Sequence, residues 1–258
     1  MDNALILNIL RQISKNTITP EHGLPLLKQA MHPSPVSQEL IPDLKREQRT
    51  GIREVIFGPG KSAEQIIEAA ERLGENNNPV LATRVSPEHE PALKKAFPQG
   101  IYHSQARVFA LNFDPGLEQK RPEKGDVLVI TAGSADVPVA LECLATCKYM
   151  GMQTGILCDA GVAGLHRILE NRDKMDAAKA LVVIAGMDGA LPSVVAGLSP
   201  LPVIGVPTSV GYGAALNGFT PLLNMLNSCA PGVTTVNIDN GFGAACVAKK
   251  ILNAVAGS

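Results

Sequence analysis

Residues 180–208 read ALVVIAGMDGALPSVVAGLSPLPVIGVPT, and this stretch decides the fold. An apolar run, ALVVIAG, breaks at glycines around Asp188, the segment ALPSVVAGL has helical character, and PVIGVPT is a second apolar run. Neither run alternates polar with apolar residues, so both faces of each strand must be covered. Short continuous strands separated by helices imply a parallel sheet between two helical layers.

The alternation extends outward in both directions. Upstream come a strand DVLVITAG, a helix VPVALECLATCKYMG, a strand TGILCD and a helix HRILENRDKMDAA; downstream come a helix from about Pro221, a strand TTVNID and a helix GAACVAKKILNAV. Nearly every strand ends in Gly, Ser, Asp or Asn, and in a doubly wound α/β sheet those carboxyl ends line the ligand crevice. This domain is expected over residues 121–258. A smaller α/β unit is expected over 53–120, from strands EVIFG, PVLATRV and ARVFALNF with helices SAEQIIEAAERLG and one from about Pro87. The polar run DPGLEQKRPEKG marks the boundary between the two. Residues 1–52 are expected to hold two amphipathic helices, the second capped at Thr19-Pro20-Glu21, and a proline-punctuated connector from His32 to Gly51.

Composition divides the chain in the same place. Residues 1–124 carry 16 of the 23 Lys and Arg but only 7 of the 24 glycines, and between Asp188 and Lys249 the single charged side chain is Asp239. A net charge of −1 without a basic cluster offers no footprint for nucleic acid. No apolar run approaches the roughly 20 residues that span a bilayer. The opening MDNALILNILRQISKNT is unlike a basic secretory leader, so the expected location is the cytoplasm. Five cysteines, at 143, 147, 158, 229 and 246, are expected to be thiols. Cys143 and Cys147 lack the CxxC spacing or nearby His of a zinc site, and no metal ligand set is assigned.

The chemistry-bearing residues gather at strand ends. In ITAGSADVPVA, Gly133 permits a tight turn, Ser134 supplies a hydroxyl and Asp136 stands where it can cap the next helix; an anion could rest on the exposed N–H groups, although a plain strand-to-helix turn accounts for the same pattern. Neither GxGxxG nor a P-loop is present, and FGPGKS at 57–62 is too short for the latter. CDAGVAGLHR offers His166 as an acid, a base or a phosphate ligand, and Arg167 as a bidentate partner for phosphate or carboxylate. Gly186 and Asp188 follow a buried strand, where a carboxylate needs a partner or a purpose, helix capping included. VPTSVGYGAALNG surrounds Tyr212 with glycines, in a loop able to close over a ligand or pack against another subunit. Cys229 follows a helix carboxyl end, which does nothing to stabilise a thiolate. Asp239, Asn240 and Gly241 end the next strand and are expected at the same crevice.

Residues 125–252, with IAGMDGALPSVVAGLSPLPVIGVP the strongest segment, resemble the PurE-like fold of aminoimidazole ribonucleotide carboxylases. The set TAGSADVPVA, DAGVAGLHR, GMDGALPSVV, PTSVGYGA and MLNSCAPGVTTVNIDNGFGA, with RTGIREVIFGPGKS nearer the amino terminus, more closely resembles the LarB family. Members of that family are pyridinium-3,5-biscarboxylic acid mononucleotide synthases, which carboxylate nicotinic acid adenine dinucleotide and release AMP at the start of nickel-pincer nucleotide synthesis. The resemblance implies a covalent role for Cys229 and places Asp188 as the base. It leaves Gly133, Ser134, Asp136, His166, Arg167, Gly186, Tyr212, Asp239 and Asn240 to hold the substrate.

This chain departs from the family in having Asp188 where GMEGALPSV has Glu, and TAGSAD for TAGTSD. GVAGLHR replaces the SAHR-type motif of the aminoimidazole carboxylases, the enzymatic alternative; a nucleotide-binding protein without turnover is the other. A diphosphate substrate makes magnesium a candidate ion, with no tightly bound organic cofactor. The resemblance also implies a homo-octamer, in keeping with one charge over residues 189–248.

Overall fold

A computed structural model describes residues 3–15, 17–31, 41–117 and 122–256. Residues 32–40 of the expected connector and 118–121 of the expected boundary lie outside the described residues. The chain divides into two compact units, Met1–Pro42 and Asp43–Ser258. In the first, α1 (Asn3–Ser14) pairs with α2 (Pro20–Met31), and the Thr19 hydroxyl accepts the His22 N–H at 3.4 Å, the expected N-cap.

The second unit contains two sheets. After α3 (Arg46–Thr50), the smaller sheet is built from β1 (Ile56–Phe57), β2 (Val80–Thr83), β3 (Ile101–His103) and β4 (Val108–Leu111), in the order β1-β2-β4-β3. Strands β1 and β2 are parallel and the rest antiparallel. Helices α4 (Ala63–Leu73) and α5 (Glu90–Ala96) accompany it. Ser62 and Gln65 form a reciprocal capping box on α4, so FGPGKS serves as a helix start. The β3–β4 hairpin adds a strand, IYH, that is too short to announce itself by periodicity.

The larger sheet is wholly parallel, in the order β6-β5-β7-β8-β9, from β5 (Val127–Thr131), β6 (Thr154–Leu157), β7 (Ala180–Ala185), β8 (Val203–Pro207) and β9 (Val233–Thr235). Every residue of β5, β7 and β8 is buried, as their unbroken apolar sequences require. One face packs on α6 (Val137–Tyr149) and α11 (Gly241–Ala256). The other carries α7 (Leu165–Leu169), α8 (Arg172–Asp176), α9 (Leu191–Leu198) and α10 (Phe219–Leu226). The helix expected over HRILENRDKMDAA is broken at Glu170–Asn171 into α7 and α8, and TTVNID is strand only as far as Thr235. Chain order reverses between β5 and β7, so the connections after them leave for opposite faces and open a crevice at their carboxyl ends.

Candidate active site

A cleft of about 620 Å³ occupies that crevice, within the size range of small-molecule sites. Its walls come from the turns after four parallel strands: Ala132–Asp136 after β5, Gly161–Arg167 after β6, Ala185–Leu191 after β7 and Val210–Thr220 after β8. Of the residues expected from sequence, Gly133, Asp136, Arg167, Gly186, Asp188 and Tyr212 line it.

The two carboxylates of the cleft live in opposite environments. Asp188 is exposed, and its Oδ1 accepts the Ala190 N–H at 3.3 Å, leaving the rest of the group open to the cleft. Asp136 is buried; its Oδ2 accepts the Gly133 N–H at 2.9 Å and its Oδ1 accepts the Thr208 hydroxyl at 2.7 Å. It therefore turns back on its own loop and across to β8 and does not cap α6. Burial raises its pKa, with Thr208 and Gly133 opposing the shift and the charge of Asp239 adding to it.

Arg167 pairs with Asp159 at 2.6 Å, and among the described residues it is the one cation lining the cleft. Ser134 and His166 are exposed on the same turns without lining it. Gly186 answers to a close backbone approach: a Cβ there would stand 2.2 Å from the Val210 carbonyl oxygen and 2.7 Å from the Thr208 hydroxyl. The Met187 N–H donates to that same Val210 carbonyl at 3.0 Å, so the β7 and β8 turns are stitched together over the cleft floor.

Three expected residues stand elsewhere. Asp239 accepts the Ser209 N–H at 2.8 Å, and Asn240 accepts the Gly243 N–H at 2.9 Å in the first turn of α11. Both support the loops behind the cleft and do not line it. Cys229 is exposed on the connection from α10 to the amino-terminal end of β9, and it too does not line the cleft of its own chain. The neighbouring Ser228 hydroxyl lies 2.7 Å from that of Ser193 on α9.

Sequence reasoning missed Thr208, Glu142 and Arg84. Thr208 carried a signal, a hydroxyl directly after a buried strand. Glu142 also carried one, being the single carboxylate inside the apolar helix α6. Arg84 carried none, because its partners are 58 and 155 residues away.

A doubly wound sheet with a ligand cleft at its switch point, joined to a small mixed sheet, defines a PurE-like protein with an added amino-terminal domain. Residues 126–256 match the AIR carboxylase family, and residues 40–113 match the LarB/PurE-like N-terminal domain. An uncharacterized protein of Methanocaldococcus jannaschii is 40% identical over 224 residues, covering 84% of this chain and 85% of that protein. The N5-carboxyaminoimidazole ribonucleotide mutase of Pyrococcus horikoshii is 36% identical over 136 residues, covering 51% of this chain and 75% of the mutase. The corresponding mutase of M. jannaschii is 34% identical over 131 residues, covering 49% and 78%. The chain belongs to the LarB family, within the PurE-like AIR carboxylase superfamily. Among the described residues no helix is long and apolar enough to cross a membrane.

Proposed function

We propose that this protein is a pyridinium-3,5-biscarboxylic acid mononucleotide synthase, acting in the cytoplasm on nicotinic acid adenine dinucleotide, carbon dioxide and water. The observation that carries this is the union in one chain of a LarB-type amino-terminal domain with the carboxylase fold, whereas the P. horikoshii and M. jannaschii mutases each match only about half of the chain. A pyridinium ring is too electron-poor for its carbon 5 to attack carbon dioxide. Addition of the Cys229 thiolate to the neighbouring ring carbon forms a C–S bond and a neutral dihydropyridine, whose enamine makes carbon 5 nucleophilic. Carbon 5 then bonds to carbon dioxide, whose C=O electron pair moves onto oxygen. Asp188 takes the carbon 5 proton, and departure of the thiolate restores the aromatic pyridinium. Water cleaves the phosphoanhydride to release AMP. Arg167 and the turn N–H groups after β5 suit the phosphates or the ring carboxylate.

Because Cys229 does not line its own chain's cleft, the covalent step calls for Cys229 of a second copy. The helix leading to it supports such an assembly: Phe219, Leu223 and Leu226 on α10 are all more than half exposed, a stripe of apolar side chains at helical spacing. A homo-oligomer, an octamer by analogy with PurE-like proteins, would cover it. Among the described residues no three His, Cys, Asp or Glu side chains are grouped to hold an ion, and both oxygens of Asp136 are already hydrogen-bonded. Magnesium therefore fits only as a companion of the diphosphate, and the mechanism does not depend on it.

Incubation with the dinucleotide and bicarbonate, followed by mass spectrometry, should yield the dicarboxylated mononucleotide and AMP. Absence of both products, or full activity in Cys229→Ala, overturns the proposal. Conversion of N5-carboxyaminoimidazole ribonucleotide would assign the mutase reaction instead, and tight dinucleotide binding without product would assign a binding protein.

A further inference from the structure

Arg84 directly follows β2 of the smaller sheet with a left-handed backbone, φ 53°, unusual for a long side chain. Its Nε donates to Glu142 Oε1 at 3.1 Å, and an Nη donates to the Asp239 carbonyl oxygen. The guanidinium also lies 5.9 Å from the centre of the Phe57 ring. Glu142 is buried in α6, and its second oxygen accepts the Phe242 N–H at 3.3 Å, so it caps α11 from a neighbouring helix. Desolvation leaves the Glu142 pKa raised, and Arg84 opposes part of that rise.

Asp239 is the second anchor of this cluster, and it too has a left-handed backbone, φ 56°. Its N–H donates to the Pro207 carbonyl at 2.8 Å and its carboxylate accepts the Ser209 N–H at 2.8 Å. Pro207 and Ser209 flank Thr208, whose hydroxyl holds Asp136, and the chain then runs directly into Val210 and Tyr212 of the cleft wall. One guanidinium fork thus fixes the residue that fixes the root of the 208–218 loop. Aspartate takes up a left-handed backbone readily, but for Arg84 that conformation marks a geometry imposed by the surroundings and not by local preference.

We propose that Arg84 is a positioning residue: through Asp239 it holds the root of the 208–218 loop against the cleft, making the smaller sheet a working part of the substrate site. This rests on the cleft being the site of the proposed reaction. The test separates positioning from simple pairing. Arg84→Met leaves Glu142 buried and unpaired, and lowers Tm. Adding Glu142→Gln removes that charge, and the double variant is expected to melt within about 2 °C of wild type. Its Asp239 carbonyl is still unheld, so hydrogen exchange over residues 207–213 should be about tenfold faster than in wild type. The dinucleotide KM should rise about tenfold while kcat stays within about threefold, the signature of lost binding. Arg84→Lys keeps the charge but not the fork, and should fold normally with the same faster exchange.

Wild-type exchange over 207–213 in either Arg84→Lys or the double variant, or a wild-type KM in the double variant, overturns the proposal. If the wild-type protein does not turn over the dinucleotide, the proposed function fails, and the exchange measurement alone still decides the role of Arg84.

Discussion

The hydroxyl of Thr208 donates to Oδ1 of Asp136 at 2.7 Å, joining the turn after β8 to the turn after β5 across residues 72 apart. Replacing it with valine leaves a buried carboxylate one partner short. Thr208→Val should cost about 1–3 kcal/mol in denaturant unfolding. An unchanged midpoint would mean that water replaces the hydroxyl.

The raised pKa of Asp136 has a definite sign in stability. Its folded-state value lies above its unfolded value, so the neutral form favours folding. That contribution is complete below the ordinary carboxylate range and is lost as pH rises through the elevated folded-state value. Asp136→Asn should therefore gain stability relative to wild type as pH rises out of the carboxylate range toward neutrality. Unfolding curves at several pH values would show it, and a gap that does not vary with pH would count against it.

Gly186 should tolerate no side chain. A methyl group there meets the Val210 carbonyl oxygen at 2.2 Å, and backbone cannot rotate out of the way as a side-chain tip does. Gly186→Ala is expected to lose about 1–3 kcal/mol and to displace the 208–218 loop. Thermal unfolding and hydrogen exchange over that loop report the two effects separately.

Arg167→Ala should weaken binding more than it slows chemistry. A charge-assisted hydrogen bond is worth about 1.5–3 kcal/mol, so KM should rise roughly 10- to 150-fold. Steady-state kinetics with the dinucleotide check this, and an unchanged KM would assign Arg167 to its ion pair with Asp159 alone.

Asp188→Asn should lower kcat by about 10²–10⁴, the usual contribution of a positioned base. If Cys229 acts in a neighbouring copy's cleft, inactive Asp188→Asn and Cys229→Ala subunits should regain activity when assembled together. Some clefts then contain an intact pair. No recovery on mixing would place both groups in one chain's site. A monomeric mass by light scattering at micromolar concentration would exclude the shared site altogether.

Much of this molecule is written locally. The unbroken apolar strands β5, β7 and β8 imply a covered parallel sheet, and the glycines after them place the turns, so the crevice and the turns that carry Gly133, Gly186 and Tyr212 are legible in the order of residues alone. The hairpin strand β3 and the break between α7 and α8 are not, because three residues carry no period and tertiary packing outweighs weak helix propensity.

Tertiary structure decided which acids face the cleft. Asp188 and Asp239 both follow a strand and precede small residues, yet one is open to the cleft and the other is bound to Ser209 beneath the loop. It also decided that Cys229 stands apart from its own chain's cleft, and that Arg84 of the smaller sheet meets Glu142 and Asp239 of the larger domain. Sequence determines short-range conformation through sterics and hydrophobic period, which act over a few residues. A contact between groups 58 or 155 residues apart exists only once the chain has packed, because only then do burial and unpaired hydrogen-bonding groups select the partner.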